Sequence, residues 1–341
     1  MSTAQPTPSE VNPDADRMED RDTKLSRLLT GRGDIDFIGR SRLWLYITLG
    51  VLALAVIIPL TRGLNFSIEF TGGSSFIEED ATRDFTVDDL EAALGELGVS
   101  GAIVQLVDGG SGAQISTPAT TEIEGVDDLE VAAAIEEVTG GEVSVSTIGP
   151  RWGEAVTEQA VRALLVFLVL VIIYLTVRFE WRMALAAVAT LVHDLGITIA
   201  LYALLGFSVS PSTVIALLTI LGYSLYDTVV VFDRITEDAD KLTSVSTTSY
   251  AQVANQALNN VLVRSISTSL TSILPVASLL FIGAQAFGAT TLTDLSLALF
   301  IGMSVGTYSS IVIATPLLVW LKEKEPKYAE LKERAARGGA A

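Results

Sequence analysis

Six stretches of this chain carry few or no charges: about 43–60, 161–177, 183–205, 212–232, 265–286 and 292–321. A helix needs ~20 apolar residues to cross ~30 Å of hydrocarbon, and each stretch is near or above that length. The expected fold class is therefore a polytopic α-helical membrane protein with six transmembrane helices. Composition agrees, since half of the 341 residues are apolar although 18% are charged, so the two kinds are segregated along the chain.

Lys and Arg near span ends set orientation. Lys24, Arg27, Arg32, Arg40 and Arg42 precede the first span and put the N-terminus in the cytoplasm. Alternation then exports 61–157, returns "VRFEWR" inside, exports "GFSVSP" and brings 233–262 inside with Arg234 and Lys241. The loop "GAQAFGATTLT" falls outside, and the tail from Lys322 to Arg337 falls inside. The expected organisation is a largely disordered cytoplasmic tail over 1–42, a first transmembrane helix over 43–60, and an exported domain over 61–157. A five-helix bundle over 158–321 with a cytoplasmic segment at 233–262, and a cytoplasmic tail over 322–341, complete it. From the polar start of the chain the first span is expected to be a retained anchor and not a removable signal.

The net charge of −18 is uneven. Between Arg62 and Thr157 the only cations are Arg62, Arg83 and Arg151, against acidic runs such as Asp127-Asp128. Such a surface repels phosphates, so no nucleic-acid partner is expected. "LNFSIEFTGGSSFIEE" alternates apolar and polar residues around a Gly-Gly turn, as strands do. "TVDDLEAALGELG" opens on a Thr that can N-cap and places Leu90, Ala93, Leu94 and Leu97 on one face. Two strands around a Gly-rich turn follow, then the helix "DDLEVAAAIEEVTGG", ended by glycines, and the strand "EVSVSTIG". This β-α-β-β-α-β order predicts a small α+β, ferredoxin-like exported domain.

Four charged or titratable residues fall at membrane depth, where they are costly and usually functional: His193, Asp194, Asp227 and Arg264. Asp227 lies seven residues inside Arg234, about 10 Å from the cytoplasmic end of its helix. If "NQALNNVLV" already belongs to the next helix, Arg264 reaches a similar depth and can pair with Asp227. A carboxylate whose pKa depends on a movable cation is a natural proton carrier. The plainer readings are a static carboxylate bonded to Ser224 or Thr228, and an Arg264 that snorkels to the headgroups. His193 and Asp194 are adjacent, point about 100° apart and are expected not to form one tight unit, although either can face the bundle. His193 reads as a packed, hydrogen-bonded histidine or, with Asp194, as a contributor to a proton path.

Gly302 and Gly306 make a small-xxx-small face for close helix packing, and Pro275 and Pro316 permit bends. No cysteine is present, and one isolated histidine is a poor metal site, so no metal is expected. There is no Gly-X4-Gly-Lys-Ser/Thr loop, hence no ATP site and no cofactor. "GYS" with a lone His193 is thin material for an intramembrane protease, so the chain reads as non-enzymatic.

Several motifs together resemble the SecF family of bacterial protein-export membrane components: "DIDFIGRSRLW" at 34–44, "GLNFSIEFTGGS" after the first span, "GPRWGE" at 149–154, and "HD" at 193–194. "LGYSLYDTVVVFDRI", then Asn255 with "RSISTSLTS" after Arg264, and "GTYSS" at 306–310 complete the set. The resemblance implies half of an RND-type assembly in the bacterial cytoplasmic membrane, with SecD as the other half. It implies the SecY channel complex and a translocating preprotein as partners, and use of the proton motive force to draw the preprotein outward. It carries proton conduction onto Asp227 and Arg264, and a motif role in the exported domain onto Gly63, Phe66, Glu69, Phe70, Gly72, Gly73, Gly149, Pro150 and Gly153. Glu69 stands where the family usually has Asp. The alternative is an RND-type exporter of a small molecule or lipid.

Overall fold

The computed structural model describes residues 35–338, apart from 40, 79, 108–109, 119–125, 243–246 and 284–289. Most of the tail expected to be disordered over 1–42 lies outside the described residues. Helix α1 (Ser41–Arg62) leads through Gly63, at φ +77°, into a two-residue strand β1 (Asn65–Phe66). The expected strand over "SIEF" is not formed. Ile68–Thr71 makes a single-turn helix, α2, that Gly72 ends at φ +73°, a backbone conformation that suits glycine. Ser67 and Ile68 are both buried, so alternation failed here because the segment packs on more than one side.

Strands β2 (Gly73–Glu78), β3 (Ile103–Val107), β4 (Gly112–Thr117) and β5 (Val143–Ile148) form one sheet, with helices α3 (Val87–Glu96) and α4 (Asp128–Thr139) between them. The sheet order is β3-β4-β2-β5, antiparallel at every join. Leu90 and Leu94 of α3 and Val131 and Ile135 of α4 share a core with Phe76 and Ile115 of the sheet. Thr86 caps α3 in a capping box with Asp89, and Gly140 closes α4 in the left-handed region.

The remaining helices are α5 (Pro150–Arg178), α6 (Trp181–Leu205), α7 (Pro211–Ala239), α8 (Tyr250–Ser278), α9 (Thr290–Ser309), α10 (Thr315–Lys322) and α11 (Pro326–Gly338). π-helical turns at Leu279–Gly283 and Ser310–Ala314 follow α8 and join α9 to α10. Among the described residues, five segments are long and apolar enough to cross a membrane: Arg151–Arg178, Trp181–Leu205, Pro211–Ala239, Tyr250–Gly283 and Thr291–Lys322. Helix α1 contributes a shorter apolar run, Tyr46–Arg62, about 25 Å at 1.5 Å per residue. It packs along α6, where Gly196 faces Ala55 and Leu52.

Within this bundle α6 and the α9–α10 segment are central, while α5 and the second half of α8 present most of their surface outward. The first half of α8, from Tyr250 to Leu262, is largely buried. A Cβ on Gly302 would lie 2.2 Å from Ile220 Cδ1, and one on Gly306 would lie 3.0 Å from Ser224 Cβ. The two glycines thus let α9 lie close against α7. One end of the bundle gathers charge: Lys322 pairs with Glu180 and Glu325, Arg182 with Glu325, and Arg178 with Asp233. Tyr328 of α11 stacks on Tyr250 at that same end.

Candidate functional site

A layer of polar side chains crosses the middle of the apolar bundle. Asp194, fully buried on α6, accepts hydrogen bonds from Ser224 Oγ of α7 at 2.5 Å and Ser309 Oγ of α9 at 2.9 Å. Its other oxygen lies 3.0 Å from His193 Nδ1, and His193 Nε2 lies 3.2 Å from the Tyr308 hydroxyl. With the proton on Nδ1, the imidazole donates to Asp194 and accepts from Tyr308, so one tautomer satisfies both contacts. His193 and Asp194 therefore do form a unit, contrary to the expectation from their 100° separation. Rotation separates the Cβ atoms, but both side chains bend toward each other while two serines anchor the carboxylate.

Asp227, 5% exposed on α7, lies one helical turn from Ser224. Its carboxylate meets neither Ser224, which serves Asp194, nor Thr228, whose hydroxyl lies 3.1 Å from Ser310 Oγ. Instead Ser265 of α8 lies with its hydroxyl 2.5 Å from each Asp227 oxygen. The expected Asp227–Arg264 pair is not formed. Helix α8 does begin early enough, at Tyr250, to bring Arg264 to the depth of Asp227. One residue of helix is 100° of rotation, so turning Ser265 toward α7 leaves Arg264 exposed on the outside of the bundle.

Sequence reasoning missed Ser265, Tyr308, Ser309 and Ser310. Their signal was the clustering of hydroxyls, "RSISTSLTS" and "GTYSS", in otherwise apolar helices. The π-helical turn at Ser310–Ala314 changes helical phase where adjacent Ser309 and Ser310 reach Asp194 and Thr228. Ser269, one turn beyond Ser265 on the same face, is 3% exposed and its hydroxyl has no hydrogen-bond partner among the described residues.

The motif residues at 63–73 and 149–153 meet at a second place. Gly153, near the start of α5, lies so close to α2 that a Cβ there would sit 2.5 Å from the Phe70 carbonyl oxygen and 3.0 Å from Gly72 N. A Cβ on Gly73 would sit 2.2 Å from the Thr117 carbonyl oxygen. Phe66 packs edge-on to Phe70 at 6.2 Å, and Pro150 opens α5 after Gly149. Asn65 and Phe66 pair in parallel with Ser208 and Val209, in the turn between α6 and α7. Glu69 Oε2 is buried here without a hydrogen-bond partner among the described residues. No cluster of metal-ligating side chains occurs among the described residues.

Comparison with known proteins agrees with this architecture. Residues 130–324 match the model for "Protein export membrane protein SecD/SecF, C-terminal", and residues 57–77 match the "SecD/SecF GG Motif". The chain is 44% identical over 310 residues to protein translocase subunit SecF of Streptomyces coelicolor, covering 91% of this chain and 82% of that one. It is 40% identical over 313 residues to the SecF of Mycobacterium tuberculosis, covering 88% and 70% respectively. The crystal structure of SecDF, a translocon-associated membrane protein from Thermus thermophilus, superposes with a TM-score of 0.74 at 35% identity. That match covers 85% of this chain but 39% of the SecDF chain, so the relative carries a further region of greater length. The chain belongs to the SecD/SecF family of protein-export membrane proteins, as a protein translocase subunit of the SecF type.

Proposed function

We propose that this subunit works with SecD beside the SecY channel and uses the proton gradient to help draw preproteins across the bacterial cytoplasmic membrane. Asp227 carries the proton. The observation that supports this most is the buried Asp227 carboxylate, held across a helix–helix contact by a neutral hydroxyl and no cation among the described residues. Protonation removes the charge that Ser265 serves and so alters the grip between α7 and α8. Asp194 and His193, in the adjoining network, hold α6, α7 and α9 together and extend the path. The buried Ser269 hydroxyl suits a water that would bring protons to Ser265. One proton moving through 100 mV is worth about 2.3 kcal/mol, comparable to the energies that shift two-state populations.

In this reading α1 is the sixth span, both termini are cytoplasmic, and the sheet of β2–β5 is a ferredoxin-like exported domain. The charged end of the bundle, with Arg178, Arg182 and Lys322, suits the cytoplasmic side. The outward surface of α8 supports the SecD partnership. Arg264, Ser267 and Thr271 are exposed along one side of it, and Ile266, Leu270 and Leu274 along the other. The apolar side fits lipid, whereas an arginine at the depth of Asp227 fits a polar partner helix. The names of the relatives favour protein export over a small-molecule or lipid exporter.

The test is Asp227→Asn, with gradient-dependent completion of preprotein translocation measured in inverted vesicles. The expected result is an assembled complex that no longer responds to the gradient. Undiminished stimulation overturns the carrier role, and loss of assembly with SecD makes Asp227 a packing residue.

A further inference from the structure

Two motifs more than two hundred residues apart meet at one end of the bundle. On α8, Asn255 and Asn259 stand one turn apart and grip the backbone of the segment leading into α1. Asn259 Oδ1 accepts from Ile35 N at 3.1 Å, and its Nδ2 donates to the Ile35 carbonyl at 2.9 Å. Asn255 Nδ2 donates to that same carbonyl at 3.0 Å, and its Oδ1 accepts from Phe37 N at 2.9 Å. Two side-chain amides thus do what a neighbouring strand does, offering donors and acceptors to the backbone of Ile35 and Phe37. Ile38 is buried in the main core beyond the grip, and Phe37 packs against it. Asn259 is 4% exposed and is itself fixed by a bond to the Asn255 carbonyl at 2.9 Å.

The place of this grip in the chain gives it a role. Asn259 lies six residues before Ser265, about 9 Å along the same helix. The helix that holds the Asp227 carboxylate is therefore the one that holds the root of α1. At its far end α1 is tied again, Arg62 Nη1 donating to the Leu204 carbonyl at 3.2 Å, and just beyond it Asn65 Nδ2 of β1 donates to the Gly206 carbonyl at 3.0 Å. Strand β1, joined to the sheet through α2, follows directly.

We propose that Asn255 and Asn259 are positioning residues that form a permanently closed joint, carrying displacement of α8 into α1 and thence to the exported sheet. Apolar contacts alone let a segment slide, whereas four directional bonds to backbone atoms fix register whatever the side chains around them. The joint rests on the proposed role of Asp227 as the source of the displacement.

The test has two parts. In the intact complex, amide exchange at Ile35 and Phe37 is followed with and without a proton gradient. A closed joint keeps both amides equally protected in the two conditions, and faster exchange in either one overturns the proposal. This part uses the unaltered chain and reads out whether or not Asp227 carries protons. The second part is Asn255→Ala with Asn259→Ala. The expected result is an assembled complex in which protonation of Asp227 proceeds, read by infrared difference spectroscopy, while gradient stimulation of translocation falls about tenfold. Full stimulation, or loss of the Asp227 carboxyl band along with it, overturns the joint.

Discussion

The Ser265 hydroxyl lies 2.5 Å from both carboxylate oxygens of Asp227, while Arg264 beside it turns to the outside of the bundle. The buried acid is thus held by a group that stays neutral in both of its protonation states. Ser265→Ala strips the carboxylate of this donor and leaves it unsatisfied, a loss of about 1–3 kcal/mol. Gradient stimulation of translocation is expected to fall steeply in Ser265→Ala and to survive in Ser265→Thr. Ser304→Ala, at an exposed position of α9, is the control and stays near wild type.

Gly302 is where α9 and α7 come closest to exclusion. An alanine there drives its Cβ into Ile220, with three side-chain atoms within 2.8 Å. Gly302→Ala is expected to lower thermal stability in detergent by about 1–3 kcal/mol, and adding Ile220→Ala recovers part of the loss. Gly222→Ala, whose Cβ meets nothing within 4 Å, is expected to be neutral.

The joint between α2 and α5 gives a sharper contrast within one motif. Gly153→Ala meets backbone atoms of Phe70 and Gly72, which cannot rotate away as a side chain can. Gly149→Ala meets nothing within 4 Å and has an ordinary φ of −69°. Limited proteolysis of the two variants in membranes is expected to show new cleavage around 66–73 in Gly153→Ala only.

Outside the membrane, the Thr86 side chain and backbone hold the Asp89 carboxyl below the usual carboxylate range. A folded-state pKa below the unfolded value stabilises α3 above the unfolded pKa of about 3.9 and is lost as pH falls through the folded value. Amide exchange at the start of α3 is expected to be slower in the wild type than in Asp89→Asn at pH 6. The difference closes as the pH drops below the ordinary carboxylate range.

Much of this architecture is legible in the sequence because its signals are local. Apolar length marks the spans, Thr86 with Asp89 marks a helix start, and Gly140 marks a helix end. The failures share a cause too. "SIEF" alternates like a strand, yet it is a short helix because contact with Gly153, about eighty residues on, decides its shape. The partner of Asp227 depended on helical phase, where one residue of rotation exchanges Arg264 for Ser265. His193 with Asp194 shows the reverse error, since side-chain reach overcame a backbone angle. The grip of Asn255 and Asn259 on residues 35–37 was visible only as two unexplained motifs, because nothing local links their ends.

The central claim is that the proton on Asp227 comes and goes in the working complex. Infrared difference spectra, recorded while the pH on one side of the membrane is stepped, test it most directly. The account predicts a carboxyl C=O band that appears and vanishes with the step and is missing from Asp227→Asn. A carboxyl that keeps one protonation state at every pH and under an imposed gradient contradicts it.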